Sequence, residues 1–197
     1  MFGLIVLLVI AGYIAVSVLV VKATMRWARR RGRSAVRWGW GAGLLMYLPV
    51  FWDFIPTVLL HRYLCATEQG FWVYKTVEQW QRENPGVAET LSWSKVPESF
   101  EAPEISDGLI LNERFVWELR KRHPFSHLPV WISEQLIVDR ATEEATGRSV
   151  AVSSGYGNFA LGSGGSWKFW LQMPTCDSGT REFAEYLNQV QRQGETK

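Results

Sequence analysis

Cysteine is scarce in this chain, acid is missing from one stretch, and charge of either sign is missing from another. Only two cysteines occur, Cys65 and Cys176, and neither belongs to a C-x-x-C pair, which removes a thioredoxin-type redox motif. None of the three histidines stands in a signature that would activate a serine, and no serine has a nucleophile-elbow context. These absences favour a non-enzymatic role while leaving an enzyme open, and no cofactor or metal is expected. Residues 22–37 hold Lys22, Arg26, Arg29, Arg30, Arg31, Arg33 and Arg37 with no Asp or Glu. The rest of the chain is acidic on balance, so the sequence pI of 8.6 belongs to one short loop and gives no ground for nucleic-acid binding.

Residues 2–21 carry no charge at all, and 38–60 carry one, Asp53. Twenty helical residues rise about 30 Å, the thickness of a bilayer core. The first run has no basic residue before it, exceeds a signal-peptide core in length, and is followed by Val21-Lys22-Ala23, a poor cleavage site. Two membrane spans, 2–21 and 38–60, are thus expected to form a transmembrane hairpin over 1–60, joined by the basic loop 22–37. Small-residue pairs, Ala11 with Ala15 and Gly39 with Gly43, suit close helix approach. Seven basic residues should hold the loop in the cytoplasm and send residues 61–197 to the other side. The same residues could contact anionic lipid.

Pro49, Asp53 and Pro56 are spaced four and three apart, one stripe of a regular helix. The prolines free backbone carbonyls along that stripe. An intramembrane carboxylate is read as functional by default, against the plainer reading that Asp53 reaches the interface near His61 and Arg62.

Residues 61–197 are long enough for one domain and hold seven of the eleven tryptophans, unlike a disordered tail. Phe71–Tyr74 reads as a short strand. Thr76 and Gln79 form a capping box ahead of a helix that ends at Pro85-Gly86. Residues 94–108, with Pro97 and Pro103 among acids, read as an extended surface loop. Strands are expected at Glu113–Leu119, Glu134–Asp139, Arg148–Val152 and Trp167–Leu171, as an antiparallel meander. Phe183, Tyr186, Leu187 and Val190 mark an amphipathic C-terminal helix. The fold class is α+β.

Several apparent motifs fail. Gly155-x-Gly157-x-x-Ala160 follows a strand but opens no helix, so it is not a dinucleotide fingerprint. His123 and His127 have metal-ligand spacing, but Pro124 between them breaks a helix and no third ligand is evident. Glu143 and Glu144 fall in a turn, and His61 reads as an unremarkable interfacial residue. The cysteines do combine. Both lie on the side the arginines assign to an oxidising compartment, and the count is even, so a Cys65–Cys176 disulfide is expected ahead of two buried thiols.

The runs Glu113–Arg122, Gln135–Asp139 and Ser166–Cys176 resemble a group of small bacterial envelope proteins. The resemblance covers the C-terminal half. It implies a Gram-negative inner membrane and a periplasmic domain, and it transfers no activity and no catalytic residue. The functional expectation is a membrane-anchored periplasmic binding or assembly module in an envelope complex, with a protein partner or a second copy of itself. The alternatives are a membrane-bound enzyme or small-molecule sensor, favoured by a deep pocket, and an accessory subunit of a transport or ion pathway using Asp53.

Overall fold

A computed structural model describes residues 2–92, 98–156 and 168–192. The chain divides into two compact units, one ending at Pro56 and the other beginning at Thr57.

The first unit is built on α1 (Phe2–Arg30) and α2 (Ala35–Phe51). Gly32, at φ 66°, supplies the left-handed turn between them. The two helices pack antiparallel: the Tyr13 hydroxyl donates to the Met46 carbonyl, Met25 lies against Gly39, and Trp27 meets Trp38 edge-on at 5.2 Å. Gly39 is the small residue that matters here, since a Cβ there would come within 2.9 Å of Met25. Gly43 has open space around it and Ala11 and Ala15 are exposed, so the other expected small-residue contacts do not form.

By length and composition α1 can cross a membrane. The expected straight span over 38–60 is not found. In its place α2 and α3 (Phe54–Thr67) meet at a bend of 57° across Trp52–Asp53. The physical cause lies in the two prolines. Pro56 has no N–H to donate to the Trp52 carbonyl, and Pro49 strains the preceding turn, so the helical ladder fails between them.

The second unit is α+β. Its sheet contains β1 (Gly70–Val73), β2 (Glu98–Ala102), β3 (Ile105–Ile110), β4 (Phe115–Arg122), β5 (Val130–Asp139) and β6 (Glu144–Ser154), all antiparallel, in the order β1-β6-β5-β4-β3-β2. Strands β2 to β6 form a meander, and β1 joins the free edge of β6. Alternation sets two packed faces. Val130 and Ile132 of β5, with Val150 and Val152 of β6, bury against Leu64 and Cys65 of α3. Phe115 and Ile137 point the other way, onto Trp80 of α4 (Val77–Glu83) and Phe183, Tyr186 and Val190 of α5 (Thr180–Gln191). Thr76 caps α4 as its sequence promises, its hydroxyl accepting from Gln79 N–H at 3.2 Å.

A buried acid pins the second face. Asp139 accepts the Trp80 indole N–H at 2.8 Å and the Ala141 amide at 3.0 Å, and pairs with Arg114 Nε at 2.6 Å. Burial works against ionisation of this carboxyl, but the two hydrogen bonds and the neighbouring Arg114 charge together outweigh it and hold it below the ordinary carboxylate range.

Two strand expectations are corrected. The acidic segment 94–108 is not a plain loop: residues 98–110 form the β2–β3 hairpin, turning at Pro103-Glu104, while 94–97 lie outside the described residues. Phe100 covers Gly108 on the opposing strand, a packing that a Cβ at Gly108 would obstruct at 2.6 Å. The strand expected at Trp167–Leu171 is a single 3-10 turn over Phe169–Leu171, with Trp167 outside the described residues.

Candidate functional site: a histidine against the disulfide

Thr57, His61 and Cys65 recur every fourth residue along α3 and share one buried stripe of the helix. The stripe faces the sheet because Cys65 itself, with Leu60 and Leu64 beside it, packs on Val130, Ile132, Val150 and Val152 of β5 and β6. Cys65 ends the stripe and is bonded to Cys176, with Cα atoms 5.7 Å apart. Cys176 is fixed independently by two backbone hydrogen bonds to Val152, each 2.9 Å, which extend the β6 ladder by one bridge.

His61 is 5% exposed and lies over the bond. Its Nε2 stands 3.6 Å from Cys65 Sγ and 3.9 Å from Cys176 Sγ. The backbone of Pro174 lies close enough to the ring to act on it. Thr57 Oγ1, one turn away, is buried without a hydrogen-bond partner among the described residues. A bonded sulfur is only a weak hydrogen-bond acceptor. A ring held this close to two sulfurs therefore gains little from them in the oxidised state, and its placement calls for another account. Among the described residues, His61, Cys65 and Cys176 are the one group of three potential ligand side chains close enough to share an ion.

The other residues singled out from the sequence lie elsewhere. Pro49 falls inside α2, Asp53 in the two-residue break and Pro56 in the first turn of α3, so the bend separates the ends of the expected stripe. Asp53 is fully buried and does not face outward. Lys22, Arg26, Arg29 and Arg30 belong to α1, Arg31 and Arg33 to the turn, and Arg37 to α2. The Arg31 guanidinium lies 4.6 Å over Trp27, and Arg33 lies within reach of both Trp27 and Trp38. His123 stacks on Trp131 at 4.1 Å and meets the Leu128 carbonyl, while His127 is exposed, so the pair is not brought together on an ion. Glu143 takes a left-handed turn at φ 58° and Glu144 pairs with Lys75. Gly155 and Tyr156 follow β6, and 157–160 of the glycine motif lie outside the described residues.

His61 is the residue that sequence reasoning missed. Its spacing of four from Cys65 was visible, but a membrane-interface setting explained it away. Nothing in the sequence showed that Cys176 would arrive on the same side of the ring. The chain matches no protein-family model, no curated protein and no solved structure.

Proposed function

We propose that this protein is a membrane-anchored module of the bacterial inner membrane, with its α+β domain in the periplasm, and that it works by binding a partner protein in the envelope. The reading rests first on the Cys65–Cys176 disulfide. Such bonds persist in oxidising compartments, and the cluster of seven basic residues independently assigns the domain to the non-cytoplasmic side. Helix α2 supports a second span: Trp40, Leu44, Leu45 and Leu48 are exposed, an apolar surface that lipid would cover. Its 17 residues rise about 25 Å, short of a full bilayer core.

Partner binding is favoured by the β1 edge. Trp72, Val73 and Tyr74 remain exposed there, beside the end strand of the sheet. Edge strands accept extended segments by backbone pairing, with side-chain pockets adding selectivity. The experiment has two parts. A reporter active only in the periplasm, fused after Lys197, should be active, and the N-terminal residues should remain in the mature chain. Activity only of a cytoplasmic reporter overturns the topology, and loss of the N-terminus identifies α1 as a cleaved leader. A photo-crosslinking residue at Tyr74 should then give one discrete adduct in cells that the same residue at Arg140 does not. Equal, diffuse labelling at both positions overturns the binding edge.

A further inference from the structure

We propose that His61, Cys65 and Cys176 are a redox-gated site for a thiophilic d10 cation, Zn2+ or Cu+, closed by the disulfide and opened by its two-electron reduction. The proposal concerns the second unit alone and does not depend on which side of a membrane that unit faces.

The geometry carries it. In a tetrahedral zinc site with Zn–S of about 2.3 Å and Zn–N of about 2.0–2.1 Å, the ligand nitrogen lies about 3.6 Å from each sulfur. His61 Nε2 already stands 3.6 Å and 3.9 Å from the two sulfurs. Nδ1 is nearly as close to Cys65 Sγ, at 3.7 Å, so the imidazole lies within ligand range of the sulfurs while the site is still shut, and a turn of the ring about its side-chain bonds aims one nitrogen at the ion. Reduction has only to let the sulfurs separate to the roughly 3.8 Å that the same geometry sets between them.

Contacts other than the bond also place the two cysteines: Cys65 packs on Val130, Ile132, Val150 and Val152, and Cys176 is bridged by backbone to Val152. The Pro174 backbone beside the ring offers an outer partner of the kind that commonly orients a metal-binding histidine. Three protein donors leave one coordination position open, and Cys176 is only partly buried, so solvent or a small ligand reaches it. Thiolate and imidazole together select Zn2+ or Cu+ over Mg2+ and Ca2+.

The chemistry balances with a dithiol reductant. Its two sulfurs bond to each other as the Cys65–Cys176 bond breaks, and two electrons and two protons pass to the cysteines, which become thiols. Binding of the cation then displaces the two thiol protons to solvent and leaves two thiolates and a neutral imidazole on the ion.

The test uses the full chain in mild detergent, reduced with a phosphine under anaerobic conditions. Co2+ serves as the spectroscopic stand-in for Zn2+, and separate arms measure Zn2+ and Cu+ against chromophoric chelators. One ion per reduced chain is expected, with thiolate-to-Co2+ charge transfer and the intense d–d bands of a tetrahedral site. The oxidised chain should bind none. His61→Ala should weaken binding by more than the roughly 10–100-fold that loss of an outer partner costs. Zn2+ should raise the melting temperature of the reduced chain and leave that of the oxidised chain unchanged. If reduction unfolds the domain, Zn2+ should restore its near-ultraviolet circular dichroism. Absence of stoichiometric binding, equal affinity in His61→Ala, or failure of Zn2+ to stabilise or refold the reduced chain would each overturn the proposal.

Discussion

Replacing Asp139 with Asn should cost the second unit more stability than any other single isosteric change on its α4–α5 face. The carboxylate is 2% exposed, accepts two hydrogen bonds and lies 2.6 Å from Arg114 Nε in an ion pair. Asparagine presents one acceptor oxygen where two are needed, and its amide must point an N–H at either the Trp80 indole or the Arg114 guanidinium. Hydrogen bonds to a charged group contribute about 1.5–3 kcal/mol each. Breaking a fully buried ion pair costs about 3–5 kcal/mol. Arg114 keeps 22% of its side chain in solvent, which relieves part of that cost. The expected loss is about 2–4 kcal/mol, a fall in melting temperature of roughly 10 °C for a domain of this size.

The pH dependence gives a second readout of the same variant. The folded pKa of Asp139 is depressed, so its contribution is present above the unfolded value of about 3.9 and disappears as pH falls through the folded one. The gap between wild type and Asp139→Asn should therefore be full at neutral pH and narrow below about pH 4. Thermal melts across that range decide it. A shift under about 2 °C at neutral pH, or a gap independent of pH, would refute the assignment of Asp139 as the charged node of this core.

Cys176→Ser removes a bond between residues 111 apart. The chain-entropy model sets its upper contribution at about 5 kcal/mol, so the variant should melt far lower, open to protease, and form Cys65-linked dimers on non-reducing gels. Gly147→Ala would set a Cβ 2.6 Å from the Tyr186 ring and disturb the Tyr186 hydroxyl bond to the Lys75 carbonyl; overpacking of this kind costs about 1–3 kcal/mol, measured by denaturant melts. Neutralising Arg29, Arg30, Arg31 and Arg33 together should give mixed orientations of the topology reporter. Asp53→Asn should insert at least as well as wild type, because a carboxylate in a segment entering the bilayer opposes insertion; reduced insertion would show that the charge itself is required.

Particular residues show how far the sequence could be read. The charge-free run located α1 but ended it at 21, whereas the helix continues through the basic residues to Arg30 and the loop is only 31–34; Phe183, Tyr186 and Val190 were enough to find α5, because helical periodicity is local. The Thr76 cap was legible for the same reason. The β2–β3 hairpin was not. Its acids suit an edge position, where charge discourages unwanted pairing, and Pro103 sits at the turn, so both looked like loop chemistry. The freed carbonyls of the two prolines were legible, but not that together they would break the helix at Trp52–Asp53, because proline kinks within an apolar run do not always end the helix. The disulfide partners were legible through compartment and count. The placement of His61 was not, since it depends on Cys176 returning over a separation of 115 residues.

The central claim is that a disulfide-clipped domain is held outside the cytoplasm. It is tested most directly by counting thiols in protein taken from cells quenched in acid and denatured in detergent, with a mass-tagged maleimide applied before and after reduction. The account predicts no reactive cysteine before reduction and two after it, at Cys65 and Cys176. Two reactive cysteines before reduction would contradict it.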